Sequence, residues 1–236
     1  MRLKDQVVLV VGASSGIGRE TALLFANEGA RVMAAARRED RLKMLQGEAA
    51  GIEIAVADAS IAQDMQRLGE LTLQRFGKID IMVYATGTNT PDRAMSRLTP
   101  AIWDTLISAN LHGAYYATQA VLPHMRSAGA GHLIYISSIS GLVPDVSGAA
   151  YQASKRGLLG LAHAVRVEEK EHGIRTCVVC PGLVETEILE KRPVRPTADI
   201  LAKALQPVDV AEIVLAVAKL PARAAVPELQ IMPTYL

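Results

Sequence analysis

An apolar run at residues 7–11 passes directly into the glycine-rich segment Gly12-Ala-Ser-Ser-Gly16-Ile17-Gly18. The run is typical of a buried parallel strand, and residues 17–25 carry apolar side chains at helical spacing. Glycines in a strand-to-helix turn let the backbone approach a pyrophosphate, and the helix N-terminus offers free N–H groups. The spacing Gly-x-x-x-Gly-x-Gly differs from the common dinucleotide fingerprint, so a strand-to-helix turn without a ligand remains the alternative.

Apolar runs and helical patterns alternate along the rest of the chain. The patterns predict strands at 6–11, 31–36, 52–56, 79–84, 131–137, 174–180 and 228–232, and helices at 16–28, 39–48, 61–76, 103–126, 151–172 and 207–219. Such alternation predicts an α/β fold, a doubly wound parallel sheet of about seven strands with helices on both faces. The length fits a single domain over 1–236. Residues 183–206 are the only long irregular stretch expected, and a lid or binding segment is favoured there over a solvated connection.

Charge and composition limit the classes of partner. With 25 Lys and Arg against 24 Asp and Glu, the net charge of +1 gives no electrostatic case for nucleic acid. The N-terminal apolar run is too short for a signal peptide or a membrane span, so we expect a cytoplasmic protein without a membrane partner. Cys177 and Cys180 lie on opposite faces of one predicted strand, which favours buried thiols. Because the histidines are scattered, no metal site is predicted.

A tyrosine and a lysine are candidates for proton transfer. Tyr151 and Lys155 stand four residues apart in a predicted helix, so their side chains share one face. A lysine ammonium favours the phenolate, which predicts a lowered tyrosine pKa. A hydroxyl with a lowered pKa suits proton exchange with an alcohol or carbonyl oxygen. The pair is common on helix surfaces, so it is informative only together with the glycine loop.

The end of the second predicted strand bears on the choice of dinucleotide. Sites for NAD place an acid about 20 residues beyond the glycine loop, where it binds the ribose 2′-hydroxyl. Here that position is Ala36, followed by Arg37 and Arg38. Two guanidinium groups without an acid favour a 2′-phosphate, so NADP(H) is expected to be preferred over NAD(H). Two solvated arginines, or use of both cofactors, are the alternatives.

Six motifs in order make the chain resemble the short-chain dehydrogenase/reductase family, in its compact single-domain branch, from Val7 to about Pro233. They are the glycine loop, Asp58-Ala59, Asn110, Ser138, Tyr151 with Lys155, and Pro181-Gly182. The resemblance implies a Rossmann-like fold and an oxidoreductase that transfers a hydride between NADP(H) and a carbonyl or secondary alcohol. It also implies a small-molecule substrate and a homodimer or homotetramer built through the predicted helices 103–126 and 151–172.

The resemblance assigns a role to each motif residue. Tyr151 would exchange the proton, Lys155 would lower its pKa and hold the ribose, Ser138 would bind the carbonyl oxygen, and Asn110 would hold a relay water. Ser137 is the alternative to Ser138, because adjacent residues of a strand point to opposite faces of the sheet and alternation alone does not say which one faces the crevice. The residues expected to bind the cofactor are Gly12, Ser14, Ser15, Gly16, Ile17, Gly18, Arg37, Arg38, Asp58, Ala59, Ala85, Gly87, Tyr151, Lys155, Pro181, Gly182, Val184 and Thr186.

One motif departs from the family. Tyr84-Ala85-Thr86-Gly87 stands where Asn-Asn-Ala-Gly is usual, which predicts a looser edge of the cofactor site. The four catalytic candidates are intact, and this favours a carbonyl reductase or a hydroxy-acid or alcohol dehydrogenase over a non-catalytic dinucleotide-binding sensor or scaffold. Arg192 and Arg195 are candidates for binding a substrate carboxylate, and solvated arginines are the alternative.

Overall fold

Seven parallel strands form one sheet in the computed structural model, which describes residues 3–235. The strand order is β3-β2-β1-β4-β5-β6-β7. The strands are β1 Val7–Val11, β2 Arg31–Ala36, β3 Ile52–Val56, β4 Ile81–Tyr84, β5 Gly131–Ile136, β6 Ile174–Pro181 and β7 Glu228–Ile231. The predicted single-domain, Rossmann-like α/β fold is confirmed.

Helices cover both faces of this sheet. They are α1 Gly16–Asn27, α2 Glu39–Glu48, α3 Ala62–Phe76, α4 Pro100–Ile107, α5 Gly113–Ala128, α6 Ala149–Glu169, α7 Ala198–Leu201 and α8 Pro207–Ala218. Because strand residues alternate between faces, Val8 and Val10 pack in one core with α1, α2 and α8, whereas Leu9 and Val11 pack in another with α3, α5 and α6. Among residues 3–235, no helix is both long and apolar enough to span a membrane.

The two cysteines lie where the sequence predicts them. Cys177 packs in the α1 and α8 core and Cys180 packs in the α5 and α6 core, so they occupy opposite faces of β6. Both are free and buried. Burial raises the pKa of the Cys177 thiol to about 12 and that of the Cys180 thiol to about 11. These thiols are therefore inert packing groups at neutral pH.

The helix predicted at 103–126 is interrupted in the structure. Its first part, α4, begins at Pro100 after the Thr99 cap, and a π-helical turn at Ser108–His112 separates it from α5. The Tyr84 hydroxyl donates to the Ala109 carbonyl at 2.6 Å beside this turn. A Cβ on Gly113 would lie 2.2 Å from the Tyr84 oxygen. Tyr84 therefore contacts the π-helical turn at Ala109, and the glycine that begins α5 leaves room for its hydroxyl.

Two long irregular segments flank the carboxyl ends of the strands, not one. Residues 85–99, which the sequence patterns did not predict to be a long irregular segment, contain no helix or strand. The predicted segment 183–206, called the lid below, contains a 3₁₀ turn at Glu187–Lys191 and the short helix α7. Its two ends meet, because Val184 and Leu205 form a parallel bridge. Both segments border the crevice at the switch between β1 and β4, where open α/β sheets bind ligands.

Candidate active site

A cavity of about 850 Å³ lies at the carboxyl ends of the strands. It gathers residues from loops that are far apart in the sequence. The predicted site residues that line it are Gly12, Ser14, Ser15, Gly16, Ile17, Arg37, Arg38, Asp58, Ala59, Ala85, Gly87, Ser138, Tyr151, Lys155, Pro181, Gly182, Val184 and Thr186. Of the predicted set, all within residues 3–235, only Gly18 and Asn110 are not in the lining.

Two serines at the end of β5 point in different directions. The Ser137 hydroxyl donates to the Lys155 carbonyl at 2.9 Å, so its side chain is bound to the backbone of α6. The Ser138 side chain instead caps the next turn, accepting from the Ser140 N–H and donating to the Ser140 hydroxyl, each at 3.2 Å, and it lies close enough to the Tyr151 phenol to act on its pKa. The strand alternation therefore places Ser138, and not Ser137, beside the tyrosine.

Lys155 is buried beneath the tyrosine. Its Nζ donates to the Ile136 carbonyl at 3.0 Å and lies 5.7 Å from the centre of the Tyr151 ring. A Cβ on Gly87 would come within 3.2 Å of this Nζ. Any side chain at position 87 would therefore crowd the Lys155 ammonium. This gives a local reason why Gly87 is kept in the segment Tyr84-Ala85-Thr86-Gly87, which otherwise departs from the family pattern.

The electrostatics of this pair differ from the sequence-based prediction. The pKa of Tyr151 is raised, because burial and the charge of Asp145 disfavour the phenolate more than the Ser138 hydroxyl and the charges of Arg192 and Arg93 favour it. Burial also lowers the pKa of Lys155 to about 8. The prediction of a lowered tyrosine pKa is therefore wrong, because burial outweighs the groups that favour the phenolate, and the Lys155 ammonium donates to the Ile136 carbonyl and not to the phenol.

Asn110 lies behind the cavity wall. Its Nδ2 donates to the Thr88 carbonyl and to the Ser154 hydroxyl, each at 3.0 Å, and its Oδ1 accepts from the Thr88 N–H at 2.8 Å. The side chain thus fastens the segment that follows β4. Lys191 adds a contact, because its Nζ lies 2.6 Å from the Thr88 hydroxyl. Although the Asn-Asn pair is missing, these bonds tie this edge of the site to Asn110 and to the lid.

The glycine loop packs directly on the loop after β4. A Cβ on Gly12, where φ is 98°, would lie 2.7 Å from the Thr86 nitrogen. A Cβ on Gly18 would lie 2.2 Å from the Gly12 carbonyl oxygen. Gly18, which the family resemblance assigns to the cofactor, therefore lies beneath the loop and permits its close packing on α1.

Positive charge collects at the far end of the cavity. Arg38 Nη2 donates to the hydroxyls of Ser15 at 2.7 Å and Ser14 at 3.0 Å, and Arg38 Nη1 donates to the Glu187 carboxylate at 2.8 Å. The Arg38 guanidinium holds the pKa of that carboxyl below its usual range. Arg37 is mostly exposed, with its Nη1 3.7 Å from an Asp58 oxygen. The Glu187 carboxylate already binds the Arg38 guanidinium at this end of the cavity. The same donors therefore fit a second kind of anion, the 2′-phosphate of a ribose.

A family model described as short chain dehydrogenase matches residues 6–196. The chain belongs to the short-chain dehydrogenase family. One relative is the 3-oxoacyl-acyl-carrier-protein reductase FabG of Thermotoga maritima, which is 33% identical over 224 residues, 91% of each chain.

Two solved structures of the same family cover nearly the whole fold. The closed form of a serine dehydrogenase complexed with NADP+ matches with a TM-score of 0.91 at 30% identity, covering 98% of this chain and 96% of that one. A metagenomic short-chain oxidoreductase in complex with NADP matches with a TM-score of 0.85 at 30% identity, covering 100% of both chains.

Several residues of this short-chain dehydrogenase site had no sequence signal. Arg93, Thr88 and Asn89 come from the irregular segment 85–99, where no periodicity marks a contact, and Glu187 and Lys191 come from the lid. Their proximity to the cavity arises from how the two segments fold over it. Within residues 3–235, no cluster of three or more His, Cys, Asp or Glu side chains is placed to hold a metal ion.

Proposed function

We propose that this chain is an NADP(H)-dependent oxidoreductase that interconverts a carbonyl compound and a secondary alcohol, as a carbonyl reductase or a hydroxy-acid or alcohol dehydrogenase does. One observation carries the proposal. Ser138, Tyr151 and Lys155 face the same cavity as the Arg38 corner, so a proton donor and a phosphate site share one crevice. The NADP complexes of related family members and the reductase activity named for the Thermotoga relative support it.

NADP(H) supplies or accepts the hydride when it is bound. In reduction, Ser138 and Tyr151 donate hydrogen bonds to the carbonyl oxygen and stabilise the charge that develops there. The raised pKa of Tyr151 keeps the phenol protonated near neutral pH, so it is ready to give its proton to that oxygen. Lys155, whose pKa is about 8, stays mostly cationic at pH 7 and favours the phenolate left behind.

The preference for NADP(H) over NAD(H) is assigned to the positive corner. Arg38 is held by two serine hydroxyls, which orient its guanidinium toward the space where a 2′-phosphate would bind. Arg37 and Arg38 follow Ala36, and none of the three positions offers a carboxylate to a ribose 2′-hydroxyl. A charged donor that is already oriented loses little entropy on binding its anion.

The proposal is tested by following NADPH and NADH oxidation spectrophotometrically against ketones, aldehydes, 3-oxo acids, 3-oxo esters and quinones. We expect turnover with NADPH of at least one class and loss of that turnover in Tyr151→Phe. Turnover that persists in Tyr151→Phe would move proton transfer elsewhere. NADPH binding without turnover of any carbonyl would instead favour a non-catalytic dinucleotide-binding sensor.

We also infer a homodimer or homotetramer in the cytoplasm. Large apolar side chains remain exposed on the helices α4, α5 and α6, with Trp103, Tyr115 and Val167 respectively 37%, 46% and 57% exposed. Such residues on long helices are typical of a covered surface between subunits. Sedimentation velocity at micromolar concentration tests the assembly, and a monomer would contradict it.

A further inference from the structure

Arg93 is fixed between the lid and the start of the helix that carries the tyrosine. Its Nε donates to the Thr90 carbonyl at 3.0 Å and its Nη2 donates to the Lys191 carbonyl of the lid at 2.8 Å. A Cβ on Gly148, the residue before α6, would lie 2.6 Å from the Arg93 Cβ. Arg93 is only 9% exposed, and it lines the cavity together with Tyr151.

Arg192 brings a second guanidinium to the same wall. It follows Lys191, whose carbonyl receives the Arg93 bond, and it also lines the cavity. Arg195, three residues further along the lid, is exposed and is not in the lining. Arg192 and Arg195 are the sequence-based candidates for binding a substrate carboxylate. Of these two, Arg192 lines the cavity.

These two guanidinium groups have no carboxylate of their own. Among residues 3–235, no Asp or Glu oxygen lies within 4.0 Å of Arg93 or Arg192. Asp145 is the acid whose charge acts on Arg93, but its oxygens accept bonds from the Ser140 hydroxyl and from the backbone and hydroxyl of Ser147. A buried charge without a counter-ion is costly, even where carbonyl groups accept its hydrogen bonds, so this wall attracts an anion from solution.

The charged groups at this wall also favour an anion that carries a single negative charge. Burial and the charge of Arg192 lower the pKa of Arg93, and the charge of Asp145 opposes this. Two guanidinium groups and one carboxylate leave a net charge of about one positive unit. A carboxylate matches this charge, and its two oxygens suit a guanidinium fork. Both arginines also act electrostatically on Tyr151, so an anion held by them lies in the substrate half of the cavity.

We infer that Arg93 and Arg192 form a carboxylate subsite, and that the substrate is an oxo acid or hydroxy acid whose carboxylate binds there while its reacting carbon faces Tyr151. This inference rests on the proposed function for the chemistry at the reacting carbon. The subsite would also join the lid to the segment 85–99 when substrate binds, because one arginine comes from each.

The test compares oxo acids with their neutral methyl esters. Acetoacetate and methyl acetoacetate, and the pair one methylene longer, are reduced with NADPH by the wild-type chain and by the Arg192→Gln, Arg93→Gln, Arg93→Lys and Arg195→Gln variants. We expect the wild type to favour at least one acid over its ester in kcat/KM. Arg192→Gln should lower the acid-to-ester ratio about ten- to a hundredfold, mainly through KM, because a charge-assisted pair is lost. Arg195→Gln makes the same charge change outside the cavity and should leave the ratio unchanged.

Arg93 also has a packing role, so its variants need a readout of folding. Melting temperature and the NADPH dissociation constant report misfolding, and Arg93→Lys, which keeps the charge, should retain more of the acid-to-ester ratio than Arg93→Gln. An ester used as well as its acid by the wild type would overturn the inference. An acid-to-ester ratio that Arg192→Gln does not change would overturn it too.

A binding measurement separates this inference from the proposed function. Isothermal titration of the wild-type chain with acetoacetate and with its methyl ester, with and without NADP+, requires no turnover. If no carbonyl compound is reduced, binding of the acid that Arg192→Gln abolishes would still support the carboxylate subsite. The absence of binding by any acid, in a protein that binds NADP+, would overturn the subsite alone.

Discussion

Arg38 joins the glycine loop to the lid through Glu187. Its Nη1 donates to the Glu187 carboxylate at 2.8 Å, while its Nη2 binds the Ser14 and Ser15 hydroxyls. These are the groups assigned above to the 2′-phosphate of the cofactor. A carboxylate of the lid and a phosphate of the cofactor would therefore compete for the same donors, which couples cofactor binding to the position of the 3₁₀ turn Glu187–Lys191.

Arg38→Gln tests the phosphate assignment. A hydrogen bond to a charged group contributes about 1.5–3 kcal/mol, so NADPH affinity should fall about ten- to a hundredfold. NADH affinity should change less than about threefold, because no phosphate contact is lost. Fluorescence titration with each cofactor measures both, with the exposed Lys43→Gln as a charge-matched control. An equal loss for NADPH and NADH would place the 2′-phosphate elsewhere.

Glu187→Gln tests whether the Glu187 carboxylate competes with the 2′-phosphate of the cofactor for Arg38. The amide keeps the size of the side chain but removes the charge that binds Arg38, so NADPH should bind several-fold more tightly. NADH affinity should stay within twofold of the wild type, at about the precision of such titrations, because the competition concerns the 2′-phosphate. Glu190→Gln, an exposed change in the same turn, is the control. Weaker NADPH binding in Glu187→Gln would mean that Glu187 supports the cofactor site.

Tyr151→Phe and Lys155→Ala should separate proton transfer from cofactor binding. Removing the phenol hydroxyl should lower kcat by about a hundred- to ten-thousandfold while leaving the NADPH dissociation constant nearly unchanged. Lys155→Ala should damage both, because the ammonium is assigned to the phenolate and to the ribose. Steady-state kinetics and cofactor titration measure the two effects. A Tyr151→Phe variant with impaired NADPH binding would show that the phenol is also a cofactor anchor.

The sequence predicted the sheet because its signals are local. Each strand is a short apolar run next to a turn, and the predicted strand limits agree with the observed ones to within two residues. The ends of these strands meet by topology alone, so the predicted residues Gly12, Asp58 and Tyr151 meet at one cavity. Alternation along a strand does not say which of two neighbours faces inward. The family resemblance selects Ser138, and in the structure the Ser137 hydroxyl is bound to the backbone of α6.

The parts that sequence did not predict depend on contacts between loops. The π-helical turn at Ser108–His112 and its contact with the Tyr84 hydroxyl are not revealed by helical periodicity. The raised pKa of Tyr151 depends on how deeply the phenol is buried, and the spacing of Tyr151 and Lys155 does not report burial. Arg93 reaches the cavity because its segment packs on Gly148, a contact between loops 55 positions apart.

Closure of the lid is testable by hydrogen exchange. The lid is held over the cavity by polar contacts of Glu187 and Lys191, and Val184 and Leu189 are buried apolar anchors within it. We expect fast exchange over 190–204 in the free protein and slower exchange when NADPH and substrate are both bound, because contacts with ligands close the segment. Protection in α3, none of whose residues lines the cavity, should not change and serves as the internal reference. Unchanged exchange in the lid would identify it as an ordinary surface connection.

His132 predicts how the stability of the fold depends on pH. This β5 side chain is 3% exposed, and within residues 3–235 neither ring nitrogen has a hydrogen-bond partner. Burial, assisted by the charge of Arg175, lowers its pKa to about 3 from 6.5. Between these values the unfolded chain binds a proton that the folded chain does not, so stability falls as pH drops from about 6.5 toward 3.

The expected loss is about 5 kcal/mol over the whole window and about 2 kcal/mol between pH 6.5 and 5.0, since each pKa unit corresponds to about 1.36 kcal/mol. Urea unfolding followed by circular dichroism at pH 7.5, 6.0 and 5.0 measures the loss in the upper part of the window. His132→Leu removes the titrating group, so its stability should fall less steeply with acid than that of the wild type. The exposed His172→Gln is the matched control and should follow the wild-type slope. Parallel slopes for the wild type and His132→Leu would mean that His132 becomes protonated without unfolding the chain, through a local opening of β5.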